Sequence, residues 1–295
     1  MVNFNKLIPH DTKIDFVAYR KVIFLVAAMI VALSIGSFFA RGLNFGIDFR
    51  GGVSMDVRAH QSMDVSALRQ MLPGDVTISE IGSNGTDFVL SIPNAEDEQI
   101  VRRKVSAIKQ SLAEYVTFRK IDQIGPKVGR EMIDNARFAI ILTLGMILIY
   151  VWLRFEWQFA LCAVLALAHD CIVLLGMYSL FHYFEFNLNA VVALLTTASY
   201  SVHDTVVLFD RIRENLSRIS KNDLSSIVNN SINETLSRTV LTSATTLLSL
   251  LALCIFGGKI IFDFCFPIVI GLLFGTFSSI FLAAPLLLLT GLERK

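Results

Sequence analysis

Asp204, with His203 beside it, lies in the run SYSVHDTVVLFDRIR at 199–213, late in an apolar stretch that begins near Phe186. Its neighbours are fit to cross a bilayer, where an ionised carboxylate at a helix centre costs roughly 2.5 to 3.5 kcal/mol. Such an acid usually faces the interior of a helix bundle and serves a partner, an ion or a proton. On a helix, Tyr200 and Thr197 share its face one and two turns back and Ser201 flanks it, so the run presents a polar stripe. A second stripe lies further on. Arg238 stands where a later apolar run begins, and Thr242, Thr245 and Ser249 follow at intervals of four, three and four, again one helical face. Acid and Arg fall at compatible depths, so the two stripes suit a buried, switchable site. A structural salt bridge holding two helices together is the alternative.

His169 and Asp170 in an earlier apolar run are a weaker pair. Neighbours on a helix point about 100 degrees apart, so the two need not touch, and a proton path and a structural role both stay open. His203 could extend a proton path from Asp204 or only donate a hydrogen bond. Asp210, Arg211, Arg213 and Glu214 fit a solvated helix end. The chain has no GxxxxGK[ST], HExxH or GxSxG motif, and its polar segments are too short for an ATPase domain, so no enzyme is expected. Energy would come from an ion gradient, at roughly 2.3 kcal/mol per charge per 100 mV, or from a partner. No cofactor or metal is expected, because Cys162, Cys171, Cys254 and Cys265 form no CxxC pair and lie in or beside apolar runs. No basic tail argues for nucleic acid.

Those residues need a membrane bundle to hold them. With 54% hydrophobic and 17% charged residues, the chain falls well below the charge content of a soluble protein. The expected fold is an α-helical polytopic membrane protein with six transmembrane helices and an inserted ferredoxin-like α+β periplasmic domain. A tail at 1–21, with a helix starting near Ile14, precedes a first span at 22–40. That span is too long for a signal-peptide core, and Phe38 spoils an A-x-A cleavage site, so it reads as uncleaved. The inserted domain covers 41–134, with the order strand, helix, strand, strand, helix, strand, a helix cap at Asp64 and a tight turn at Ser83, Asn84 and Gly85. Further spans follow at 135–153, 158–181, 186–209, 239–258 and 262–290. Between them 210–238 reads as one or two amphipathic helices on the membrane surface, broken near Asn222, and 291–295 is a short tail. Gly271 and Gly275 are spaced for close helix contact. Lys and Arg gather in the N-terminal tail, the Arg154 turn, the 210–238 loop and at Arg294 and Lys295, whereas Lys259 falls on the other side. The positive-inside rule then puts both termini in the cytoplasm and the inserted domain outside, in the periplasm of a bacterium.

The run SYSVHDTVVLFDRIREN, the later NNSINETLSRTVLTSATTLLSLLAL with FGG after it, the RFEW turn, the HD pair and GIDFRGG together resemble the SecD/SecF family, in its smaller SecF branch. That family belongs to the resistance, nodulation and division superfamily. The resemblance implies an inner-membrane subunit that uses the proton motive force to help pull exported preproteins outward. It makes Asp204 and Arg238 the charged transport residues, acting with an acid in SecD. It leaves His169, Asp170, His203, Tyr200, Thr242 and Thr245 as candidates for a proton path or polar support. The chain departs from the family pattern at His203, where Asn is usual, and at Ser199, where Gly is usual. The superfamily pairs two six-span halves, so the implied partners are SecD, the SecYEG channel, preproteins and the lipid bilayer, with YajC a further candidate. An Asp with Thr and Ser neighbours suits H⁺ or Na⁺. The alternatives are a passive scaffold docking SecD to the channel and, less favoured, half of a small-molecule efflux transporter.

Overall fold

A computed structural model describes residues 12–73, 76–81, 85–93, 98–218 and 223–290 of the chain. Helix α1 (Arg20–Arg41) is followed by the short α2 (Ile47–Arg50) and the domain elements β1 (Gly52–Ala59), α3 (Val65–Gln70), β2 (Thr77–Ile81), β3 (Asp87–Pro93), α4 (Glu98–Leu112) and β4 (Val116–Ile124). Then come α5 (Pro126–Arg154), α6 (Trp157–Leu180), α7 (Leu188–Arg218), α8 (Leu224–Phe256) and α9 (Gly258–Ser278). A π-turn (Ser279–Ala283) and two short turns carry the last helix to Leu289. Among the described residues, six helices are long and apolar enough to cross a membrane.

In the inserted domain, period-2 patterning does the folding. Val53, Met55, Val57 and Ala59 of β1 point into the core, while Ser54, Asp56 and Arg58 between them are partly or fully exposed. The sheet is antiparallel in the order β2-β3-β1-β4, the ferredoxin-like arrangement, with a register shift between Asp56 and Val57. Leu68 of α3 and Val101, Ile108 and Leu112 of α4, at helical spacing, close the core against Met55, Phe88, Leu90 and Ile92. On the solvent side Arg58 donates to both carboxylate oxygens of Asp87 at 2.7 and 2.8 Å, and that bidentate bond holds the Asp87 carboxyl below the usual carboxylate range. Asp64 occupies the N-cap position of α3, but its side chain makes no capping hydrogen bond. Of the expected turn, Gly85 has φ +61°, as a left-handed position requires, while Ser83 and Asn84 lie outside the described residues.

The bundle has a centre and a rim. Over their most apolar stretches α6 and α7 are 56% buried, against 17% for α1 and 11% for α5 and α8. Rim helices turn side chains such as Phe39, Phe138, Ile141 and Leu248 outward. Lipid tails are as apolar as these side chains, so helix contact depends on close packing rather than on hiding them. Small residues supply it. Gly176 of α6 lies directly on Ser34 of α1, with Ser37 and Ser179 hydrogen-bonded at 3.0 Å nearby. Gly271 and Gly275 of α9 lie on Thr197 and Ser201 of α7, with no room for a side chain at Gly271.

Two expectations fail. The 210–238 segment forms no separate helices among the described residues, because α7 continues to Arg218 and α8 already starts at Leu224. The two helices fold against each other and bury Ile212, Asn215, Ile227, Val228 and Ile232. The break near Asn222 and the tails at 1–11 and 291–295 fall outside the described residues. Nor does a helix start near Ile14. Instead 12–17 is a strap laid on α8. Asn233 accepts from the Ile14 amide at 3.0 Å and donates to the Ile14 carbonyl at 2.8 Å. Asn229, one turn earlier, accepts from the Phe16 and Val17 amides at 2.8 and 3.4 Å and donates to the Ile14 carbonyl at 3.1 Å. These bonds take the backbone groups that a helix would use. Phe16 is thereby buried edge-on against Phe281, with ring centroids 5.4 Å apart. At about 0.5 to 1.5 kcal/mol per bond, Asn229→Ala with Asn233→Ala should speed amide exchange at Phe16 and Val17 by at least about tenfold. Unchanged exchange there would mean that Phe16 burial alone holds the strap.

Candidate functional site

Asp170 is the most buried carboxylate in the bundle at 1% exposure. Its Oδ1 lies 2.9 Å from His169 Nδ1, and since an ionised carboxylate only accepts, the Nδ1–H tautomer donates. Its Oδ2 accepts from Ser201 of α7 at 2.5 Å and from Ser278 of α9 at 2.7 Å. Three helices therefore meet on one acid. The neighbouring residues that need not have touched do touch, and both are buried beside Gly275 of α9, where an added Cβ would lie 3.8 Å from Asp170 Oδ2. His169 Nε2 and Thr197 Oγ1 are buried with no hydrogen-bond partner among the described residues.

One turn along α7, Asp204 is 5% exposed and faces α8. Ser243 donates to its Oδ2 at a long 3.4 Å, and His203 Nδ1 lies 3.5 Å from its Oδ1. The His203 ring itself is 58% exposed, so it stands between the acid and the outside of the bundle. Arg238 is exposed and acts on Asp204 only as a nearby positive charge, with no ion pair between them among the described residues. The stripe Thr242, Thr245 and Ser249 does not face the acid. Each of these hydroxyls bonds a carbonyl three or four residues back on its own helix, which leaves Thr245 and Ser249 free to be exposed and Thr242 half-buried. Tyr200 is half-buried and has no hydrogen bond among the described residues.

What joins the two acids is a set of hydroxyls that the sequence reading did not single out. Ser243 also bonds Thr276 of α9 at 2.8 Å, two residues before Ser278 on Asp170. Ser279 bonds Thr205 at 2.9 Å and donates to the Ser201 carbonyl at 3.1 Å. The π-turn begins at Ser279, and such bulges gather at functional sites because they relax helix register. Ser and Thr are too common in membrane helices for their spacing alone to have marked these.

The N-terminal end of α7 is tied to the inserted domain. Asp48, in the GIDFRGG run just before β1, accepts from the Leu188 amide at 3.0 Å and so caps the helix that carries Asp204. The Asn44 carbonyl accepts from the Phe186 amide at 2.7 Å, and the Gly46 amide donates to the Phe186 carbonyl at 3.0 Å. These three bonds join the start of α7 to the base of the domain.

A family model described as protein export membrane protein SecD/SecF, C-terminal, matches residues 104–293, and one for the SecD/SecF GG motif matches 36–63. The chain belongs to the SecD/SecF family. Within that family it is 40% identical to the protein translocase subunit SecF of Cereibacter sphaeroides, over 98% of this chain and 93% of that one. It is also 40% identical to SecF of Rickettsia bellii, over 96% and 95% of the two chains. The crystal structure of SecDF, a translocon-associated membrane protein from Thermus thermophilus, overlays with a TM-score of 0.86 at 35% identity. That likeness covers 96% of this chain but 39% of the SecDF chain. SecDF in a super-membrane-facing form overlays with a TM-score of 0.71 at 36% identity. The SecD/SecF GG motif thus coincides with the segment that caps α7, and both acids lie inside the stretch matched by the C-terminal SecD/SecF model.

Proposed function

We propose that this chain is the SecF half of a SecD–SecF machine in the bacterial inner membrane that spends the proton motive force on late steps of preprotein export through SecYEG. Both termini are cytoplasmic and the ferredoxin-like domain is periplasmic, the arrangement favoured by the distribution of Lys and Arg. SecD supplies the second six-span half, and YajC is a candidate companion. Asp204 takes up and releases the proton, with Arg238 as its nearby cation and His203 at its outer side. The observation that carries this reading is how loosely Asp204 is held. A carboxylate buried to 5% exposure, with contacts of only 3.4 and 3.5 Å, is poorly paid for its desolvation when ionised. A passive scaffold would need that acid locked to a permanent cation, and among the described residues no Lys or Arg pairs with it, only the exposed His203 at 3.5 Å, a cation only when protonated.

Coupling to the outer domain runs along α7, whose outer end Asp48 caps. A change of charge at Asp204 alters its hold on Ser243 of α8, and a shift of α7 reaches the domain through one hydrogen-bonded joint. The test is translocation by the SecD–SecF complex reconstituted with its channel under imposed gradients. A pH gradient alone should accelerate late translocation, and a Na⁺ gradient alone should leave it at the rate without a gradient. Acceleration by Na⁺ alone reassigns the ion, and insensitivity to both returns the chain to a scaffold.

A further inference from the structure

The cycle proposed above moves no proton through the His169–Asp170 pair, yet Asp170 is the most fully hydrogen-bonded acid in the bundle among the described residues. We infer that Asp170 is a second protonatable centre, loaded through His169, whose proton occupancy sets how tightly α9 is held against α6. Asp170 acts as a positioning residue for Asp204, and only this last coupling rests on the function proposed above.

The chemistry follows from three contacts and one vacancy of partners. His169 Nε2 is buried without a hydrogen-bond partner among the described residues, while Nδ1 lies 2.9 Å from Asp170 Oδ1. A proton taken up at Nε2 forms an imidazolium, and Nδ1 then passes its proton to Oδ1. One N–H bond forms, one N–H bond breaks and one O–H bond forms, so the pair gains a single proton and the imidazole returns to neutral as its other tautomer. The carboxylate becomes a carboxylic acid. Its Oδ2 loses the charge that made the bonds from Ser201 and Ser278 about twice as strong as neutral ones.

The two serines then differ. Ser201 has no second acceptor among the described residues, whereas Ser278 already lies 3.0 Å from the Gly275 carbonyl of its own helix. With Asp170 neutral, the Ser278 hydroxyl turns to Gly275, and the tie between α6 and α9 opens while that between α6 and α7 stays. The released turn, Thr276 to Ser279, is the one that holds Ser243 beside Asp204 and braces Thr205 and Ser201 of α7. It is also where the π-turn starts. The titratable groups around Asp170 are His169 and Cys171 on α6 and Asp204 with His203 on α7. The facing turn of α9 offers only hydroxyls, α8 offers the exposed Arg238, and α1 has no titratable residue between Lys21 and Arg41.

Infrared difference spectra of the purified complex with its larger partner subunit, recorded across a pH titration, test this directly. A protonated-carboxyl band sensitive to D₂O should be present, lost in Asp170→Asn and kept in Asp204→Asn. A spectrum that Asp170→Asn leaves unchanged overturns the inference. Ser278→Ala keeps the carboxyl and so serves if Asp170→Asn does not assemble. It should retain the band and shift its midpoint, and an unmoved midpoint also overturns the inference. If Asp204→Asn leaves gradient-driven export intact while the Asp170 band behaves as described, the proposed function falls and this centre stands.

Discussion

Asp204→Asn should leave the SecD–SecF complex assembled and remove its acceleration by a proton gradient. The substitution keeps the shape of the side chain and an oxygen that can accept from Ser243, and it removes the carboxylate's charge and with it the ability to bind and release a proton. Little stability is at stake, since the two contacts it touches are 3.4 and 3.5 Å long, beyond the usual range for strong hydrogen bonds. The expected loss is below about 1 kcal/mol, and removing an ionised group from an apolar bundle offsets part of it. The readout is therefore split. Co-purification with the partner subunit and thermal unfolding should match the parent protein, while translocation under an imposed pH gradient falls to the rate without one. Asp204→Glu keeps a titrating group but pushes it further toward α8, so it should retain a gradient response at reduced rate. If Asp204→Asn still responds to the gradient, the proton is carried elsewhere. If it dissociates the complex, the acid is a structural tie.

The sequence made Asp204 conspicuous because an acid breaks an apolar run, and no neighbour was needed to see it. The inserted domain was equally readable, since alternation in β1 and helical spacing in α4 each fix which face is buried against an aqueous exterior. Inside the bilayer that contrast disappears. Lipid and bundle interior are both apolar, so periodicity could not say which face of α8 points inward. The run Thr242, Thr245 and Ser249 looked like the inner face, but hydroxyls that bond their own backbone can face outward at little cost, and Ser243 beside them is the contact. His169 and Asp170 were visible as polar residues, but the bonds of Asp170 to Ser201 and Ser278 depend on how near α7 and α9 come to α6, which spacing within α6 could not show. The strap was not readable, because Ile14 and Asn233 meet across 219 residues of chain.

Gly271→Val should be among the most damaging single changes in the membrane part. A Cβ at Gly271 would fall on the Oγ1, Cγ2 and Cβ of Thr197, all closer than real contacts come, and Thr197 is 2% exposed with nowhere to turn. Overpacking of this kind costs about 1 to 3 kcal/mol when neighbours can give. Here giving means moving α9 off α7. That also lengthens the bonds from Ser279 to Thr205 and the Ser201 carbonyl, and opens the close packing at Gly275, where an added Cβ would lie 3.2 Å from Ser201 Cβ. The expected result is a loss of at least about 3 kcal/mol, seen as a large drop in the thermal midpoint of the detergent-solubilised complex and failure of the response to a proton gradient. Gly271→Ala should cost less, and pairing it with Thr197→Ala should recover part of the loss by deleting the two nearest atoms. Thr197→Ala alone should be close to neutral, since its hydroxyl has no partner to lose among the described residues. Gly145 on the rim helix α5 is the control: nothing lies within 4 Å of a Cβ there, so Gly145→Ala should be neutral or stabilising by up to about 1 kcal/mol from helix propensity. If Gly271→Val proves no worse than Gly145→Val, the close approach of α7 and α9 does not hold the two acids together.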